Sequence, residues 1–91
     1  MPDMDDELKA HYRQGLHARI EALESARQAL PEMAPEAVER VKRTAHSLRG
    51  SGATYGFPKI SETAEALENS TEKDFPGALG KLIEVLRETV S

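Results

Sequence analysis

The chain has 91 residues, 16 of them acidic and 12 basic for a net charge of −4, and it has no cysteine. A chain this short holds one domain with one modest core. It has no thiol chemistry or cysteine-ligated zinc to offer, and it is too acidic for wholesale nucleic-acid binding, which needs a basic surface. No run of about 18 apolar residues could cross a bilayer, and the acidic start, Met1 to Glu7, is unlike a secretory signal. The expectation is one cytoplasmic domain spanning residues 1–91. Ala, Glu, Leu and Arg dominate, aromatic residues are 4%, and β-branched runs are missing, which favours helix.

The first predicted helix runs from about Asp5 to Leu30. Leu8, Tyr12, Leu16, Ile20, Leu23 and Leu30 recur three, four or seven apart and so share one face. Asp3, Asp5 and Asp6 supply caps and negative charge where the helix dipole favours them. Pro31 stops this helix. The second starts at Pro35, a first-turn proline, and ends near Ala53 or Tyr55. Val38, Val41, Ala45, Leu48 and Gly52 form its seam, and Gly56 suits a terminator. The third starts at Pro58, carries the stripe Ile60, Ala64 and Leu67, and ends at Asn69-Ser70. The fourth opens with Asp74 as N-cap and Pro76 in its first turn. Its stripe is Phe75, Leu79, Leu82, Ile83, Leu86 and Val90. Four amphipathic helices joined by about 4 to 6 residues imply antiparallel neighbours. The predicted fold is all-α, an antiparallel up-down-up-down four-helix bundle. Tyr12, Tyr55, Phe57 and Phe75 are read as core or helix-joint packing, Glu21, Glu24 and Arg27 as surface pairs, and Gly15 as a place where a neighbouring helix comes close.

His11 and His17 lie six residues apart, about 120° from each other around one helix, so they cannot share a metal. No Glu-x-x-His pair accompanies them, and no metal site is expected. His46 differs through its neighbours. It lies about 130° from the seam of its helix, toward solvent. Around it, at helical spacings, stand Lys42, Arg43, Arg49, Gly50 and Ala53. The three cations would balance the charge of an arriving phosphoryl group. Gly50 and Ala53 leave open space beside the ring, and an exposed glycine inside a helix would otherwise give way to a better helix former. From Arg40 to Arg49 there are four basic residues and no acidic one, a local positive patch suited to an acidic partner. A solvated helix face near a C-terminus, where the dipole favours cations, accounts for the same charges.

The stretch His46-Ser47-Leu48-Arg49-Gly50-Ser51-Gly52-Ala53-Thr54-Tyr55-Gly56 resembles the signature of histidine-containing phosphotransfer (HPt) domains, and the likeness runs from Val41 through Ile60, Ala64 and Leu67 to Glu68. The resemblance implies a four-helix bundle in which His46 is the phosphoacceptor. It would take a phosphoryl group from the phosphoaspartate of one receiver domain and pass it to the aspartate of another. Arg49, where the family more often has Lys, and Lys42 would support the phosphoryl oxygens. Arg43, Gly50 and Ala53 would face the partner, and Gly56 would mark the turn into the third helix. Response-regulator receivers and a hybrid histidine kinase are the implied partners, with Mg²⁺ supplied by the receiver and no cofactor on this chain.

There is no Gly-x4-Gly-Lys-Ser/Thr loop, so the implied role is a phosphoryl carrier without its own nucleotide site, not an enzyme. A monomeric, free-standing relay intermediate is expected, with a module of a larger kinase as the variant. The alternative of another class is a helical adaptor or inhibitor that docks on a receiver or kinase without being phosphorylated.

Overall fold

The structure is a computed structural model that describes residues 4–30 and 32–91, with side chains from residue 6 onward. The cap read at Asp3 and the stop read at Pro31 lie outside the described residues; Asp5, also read as a cap, already lies within α1, with its side chain outside the description. Four helices form: α1 (Met4–Arg27), α2 (Pro35–Thr54), α3 (Pro58–Glu68) and α4 (Phe75–Val90). No strand occurs among the described residues. Neighbours in the bundle run antiparallel, as predicted. On α2 and α3, Lys42 meets Ser70 while Gly52 meets Ile60. On α1 and α4, Arg27 lies beside Gly80 while His17 and Ile20 lie beside Val90 and Ser91.

α1 buries Leu16, Ile20 and Leu23, with Tyr12 half-buried. Its regular winding stops at Arg27, and residues 28–30 follow as a tighter turn, with Leu30 N–H on the Arg27 carbonyl. Leu8, expected in the buried stripe, is 47% exposed. Val90 and Ser91 share a surface depression with His17 and Ile20. The first turns of α1, Leu8 included, therefore run past the described end of α4.

α2 buries Val41, Ala45, Leu48 and Gly52 and begins with Pro35 in its first turn. Its C-terminus closes as a Schellman motif. Phe57 N–H bonds the Gly52 carbonyl at 2.7 Å, Gly56 N–H bonds the Ala53 carbonyl at 3.4 Å, and Gly56 takes φ 84°. That left-handed conformation is one that a residue with a Cβ resists. The chain thus reverses in three residues, fewer than expected, and α3 lies directly against α2.

α3 buries Ile60, Ala64 and Leu67, and α4 buries Phe75, Leu79, Leu82, Ile83, Val85 and Leu86. Asp74 does not cap α4 with its side chain and already has helical backbone angles. Winding begins earlier, at Thr71, whose carbonyl accepts Phe75 N–H at 2.9 Å and whose hydroxyl donates to the Asp74 carboxylate at 3.1 Å. Asp74 keeps the N-cap position read for it, and its own N–H is taken by the Thr71 hydroxyl at 3.3 Å, so the two residues bracket the turn that leads into α4.

The four stripes close one core of 15 buried apolar residues. The α2–α3 contact is the most extensive and the α1–α2 contact the slimmest.

Candidate functional site

His46 projects from α2 with its side chain 65% exposed. Its position follows from the seam: Val41, Ala45, Leu48 and Gly52 are pulled into the core, and His46, about 130° from the centre of that stripe, faces out. Gly50, one turn on, is exposed, and a Cβ built there would meet nothing within 4 Å. Ala53, one turn further, is exposed as well. The backbone beside the ring is open, and no packing among the described residues accounts for the glycine.

The spacing along α2 surrounds His46 with three cations and two small residues, and with no acid. The structure puts a carboxylate against the ring. Glu68 Oε2 lies 2.5 Å from His46 Nδ1, and its Oε1 accepts a hydrogen bond from Arg49 Nη1 at 3.0 Å. An ionised carboxylate only accepts, so Nδ1 donates, and in the neutral ring the lone pair is on Nε2. Among the described residues Nε2 has no hydrogen-bond partner. Glu68 is the more sheltered of the pair, with 22% of its side chain exposed.

The cations read from the sequence take separate places. Arg49 is turned onto Glu68. Lys42 sends its ammonium 2.8 Å to the Ser70 carbonyl, just beyond the end of α3. Arg43 stays on the surface, paired loosely with Glu39 at 3.8 Å. Neither Lys42 nor Arg49 is left without an acceptor beside the ring, as spacing along one helix implied. Arg49 has found one on α3 and Lys42 one just past its end.

Glu68 is the site residue that the reading of single helices missed. The signal was the register between α2 and α3. A Cβ on Gly52 would lie 3.0 Å from Ser61 N and 3.1 Å from Ile60 Cγ2, so only glycine lets the two backbones come this close. Six residues back along α2 from Gly52 is His46, and seven residues on along α3 from Ser61 is Glu68. At 1.5 Å per residue the two displacements are about 9 and 10 Å, so antiparallel packing brings the two side chains to one level. The Ser61 hydroxyl, donating to the Arg49 carbonyl at 2.8 Å, holds the same register.

The other face of α2 is more loosely held. Tyr12 and Ser51 share a hydrogen bond of 2.8 Å, and the Tyr12 ring stacks on Tyr55 and Phe57 at centroid distances of 4.8 and 5.4 Å. Burial pushes the Tyr12 hydroxyl's pKa up, with the Ser51 hydrogen bond opposing. Below this clamp a groove opens between α1 and α2, lined by Gly15, Arg19, Ser47 and Leu48. Gly15, expected at a close helix contact, would meet nothing within 4 Å with a Cβ added. It lines the groove because α1 and α2 stand apart there. His11 and His17 are exposed, and no three His, Cys, Asp or Glu side chains among the described residues are grouped to hold a metal.

The family profile of the Hpt domain matches residues 7–90. The chain belongs to the Hpt domain family. Among curated proteins it is 34% identical over 71 residues to the chemotaxis protein CheA of Klebsiella aerogenes, a match that covers 72% of this chain and 11% of CheA. No solved structure gives a significant match. This Hpt domain is thus a phosphotransfer domain of the two-component type, a phosphocarrier module.

Proposed function

We propose that this Hpt domain carries a phosphoryl group on His46, taking it from the phosphoaspartate of one receiver domain and passing it to the aspartate of another. The observation that carries this reading is the state of the ring: exposed, tied through Nδ1 to Glu68, and flanked by the bare backbone of Gly50. Nε2 attacks phosphorus in line. The N–P bond forms as the P–O bond to the aspartyl carboxylate breaks, and that carboxylate leaves with the electron pair. The Nδ1 proton stays on the ring, which becomes cationic, and Glu68 stands where the new positive charge appears. The return step reverses these events on another aspartate. Mg²⁺ comes with the receiver, Gly50 and Ala53 leave room for it, and Arg43 offers it positive charge. Transfer is then mostly positioning.

The test is incubation of the chain with a receiver domain carrying labelled phosphoaspartate. Label should appear on the chain, resist alkali, be released by acid, and be absent from His46→Gln. A His46→Gln chain that still accepts label, or that still supports signalling without label, would leave the docking adaptor as the better reading.

A further inference from the structure

The carrier reading gives the phosphoryl group a nitrogen to sit on but no partner for its oxygens. Resting on that reading, we infer that Arg43, one turn before the acceptor, is the residue of this chain that meets the phosphoryl oxygens. The family likeness implies another arrangement, in which Lys42 and Arg49 support those oxygens and Arg43 faces the partner.

The first observation is which cation is free. Lys42, Arg43 and Arg49 all stand within one turn of His46. Lys42 is on the Ser70 carbonyl at 2.8 Å and Arg49 on the Glu68 carboxylate at 3.0 Å. Either would have to leave that acceptor to turn to the ring. Arg43 would leave almost nothing. Its one acidic contact among the described residues, Glu39, is 3.8 Å away, beyond hydrogen-bond length, and both side chains are 73% exposed. An exposed pair of this kind contributes little.

The second observation is side. Around α2, Lys42 and Arg49 fall about 40° and 60° from His46 in one direction, and Arg43 falls about 60° in the other. The first direction is that of α3, where Glu68 holds Nδ1. The lone-pair directions of the two imidazole nitrogens diverge widely, so Nε2 points away from Glu68, to the side where Arg43 stands. The third observation is level. Helical side chains lean toward the helix N-terminus, which carries the ring over the turn that holds Arg43 and away from Gly50. A planar guanidinium there can meet two phosphoryl oxygens at once.

The experiment takes the docking partner away. Phosphoramidate is a small donor with no protein surface. Nε2 bonds to phosphorus as the donor's P–N bond breaks, and the protonated nitrogen leaves as ammonia with the bonding pair. His11 and His17 are exposed as well, so label on His46 is read as the excess over the His46→Gln chain. Arg43→Gln should gain that label about tenfold more slowly, and Arg43→Lys should recover part of the rate. In phosphorus-31 NMR of the labelled chains, Arg43→Gln should raise the pH of the last phosphoryl ionisation by about half a unit, because a nearby cation favours the dianion. Arg40→Gln removes an equal charge about 120° round the helix from the ring. It should change the rate less than twofold and leave the ionisation in place. Arg40 and Arg43 are exposed, so these variants should keep the fold, which thermal melting checks.

Equal rates and equal ionisation in wild type and Arg43→Gln overturn the inference. A loss seen only with a phosphorylated receiver also overturns it and leaves Arg43 the docking role alone. An equal loss in Arg40→Gln would assign the effect to net charge and overturn it too. If phosphoramidate labels His46 and no receiver does, the carrier reading fails while the place of Arg43 is still decided. A His46 that neither donor labels ends both.

Discussion

The two sides of α2 are built differently. Toward α3, the backbones touch at Gly52, and polar ties at Lys42, Arg49 and Ser61 cross the seam. Toward α1, one hydroxyl pair and a stack of three rings join the helices at one end, and a groove opens below. The His46 ring hydrogen-bonds across the tight side. Transfer from a foreign donor needs the acceptor nitrogen aimed to within a fraction of an ångström. On the function proposed above, that precision is met where interhelical contact is densest. The difference teaches that the tight seam is what places Glu68, although it stands on another helix from His46.

Breaking the tight seam should have the largest effect. Gly52→Val puts a branched side chain where even a Cβ meets Ser61 N at 3.0 Å. Because the nearest atom is backbone, α3 must move as a unit. The expected loss is about 3 kcal/mol, the upper range for overpacking, measured by urea unfolding, together with loss of the His46–Glu68 hydrogen bond by NMR. A loss below about 1 kcal/mol would mean that α3 shifts freely and that the seam does not set the site. Lys42→Met should do less. It removes a charged donor from the Ser70 carbonyl, a hydrogen bond worth about 1.5 kcal/mol, and should speed amide exchange at the end of α3 while leaving that of α1 unchanged.

How much of this was readable beforehand follows the same division. The stripes of α2, α3 and α4 could be read because periodicity along one helix reports which face is buried, and those residues are buried, Val38 and Val90 only partly. Leu8 misled because periodicity does not say where the neighbouring helix ends. Asp74 stands at the N-cap position as read, but its carboxylate takes the Thr71 hydroxyl and not a helix N–H, a choice that composition does not show. His46 and the space at Gly50 were legible from α2 alone. The acceptors of Arg49 and Lys42, and Glu68 itself, were not, because they depend on the register between two helices. That register rests on a glycine whose importance appears only when α3 is placed against it.

The loose seam offers a smaller perturbation. Tyr12→Phe keeps the stack on Tyr55 and Phe57 and removes the hydroxyl from Ser51, at a cost of about 1 kcal/mol. It should also flatten the alkaline limb of stability. The Tyr12 pKa is raised above its ordinary 10.0 by burial, so as pH climbs past 10 the unfolded chain loses this proton first and the native state loses stability relative to it until Tyr12 itself ionises. Wild-type stability should therefore fall above pH 10 more steeply than that of Tyr12→Phe. Equal slopes would place the alkaline sensitivity elsewhere. The His46 tautomer should be the same in both, since α1 takes no part in holding Glu68.

The smallest change in stability, and the one that separates folding from function, is Gly50→Ala. Gly50 and Gly52 sit two residues apart on the same helix, yet one faces backbone at 3.0 Å and the other faces nothing within 4 Å. With no clash to relieve and a better helix former in place, Gly50→Ala should stabilise the fold by about 0.5 to 1 kcal/mol. If the open space is there for a receiver, the same methyl group should slow acceptance from a phosphorylated receiver, and a leucine at that position should slow it further with the fold still intact. The His46 tautomer should not move in either variant, because neither touches Glu68. A stabilised chain that accepts phosphoryl groups as fast as wild type would show that the bare backbone at Gly50 is not used for docking.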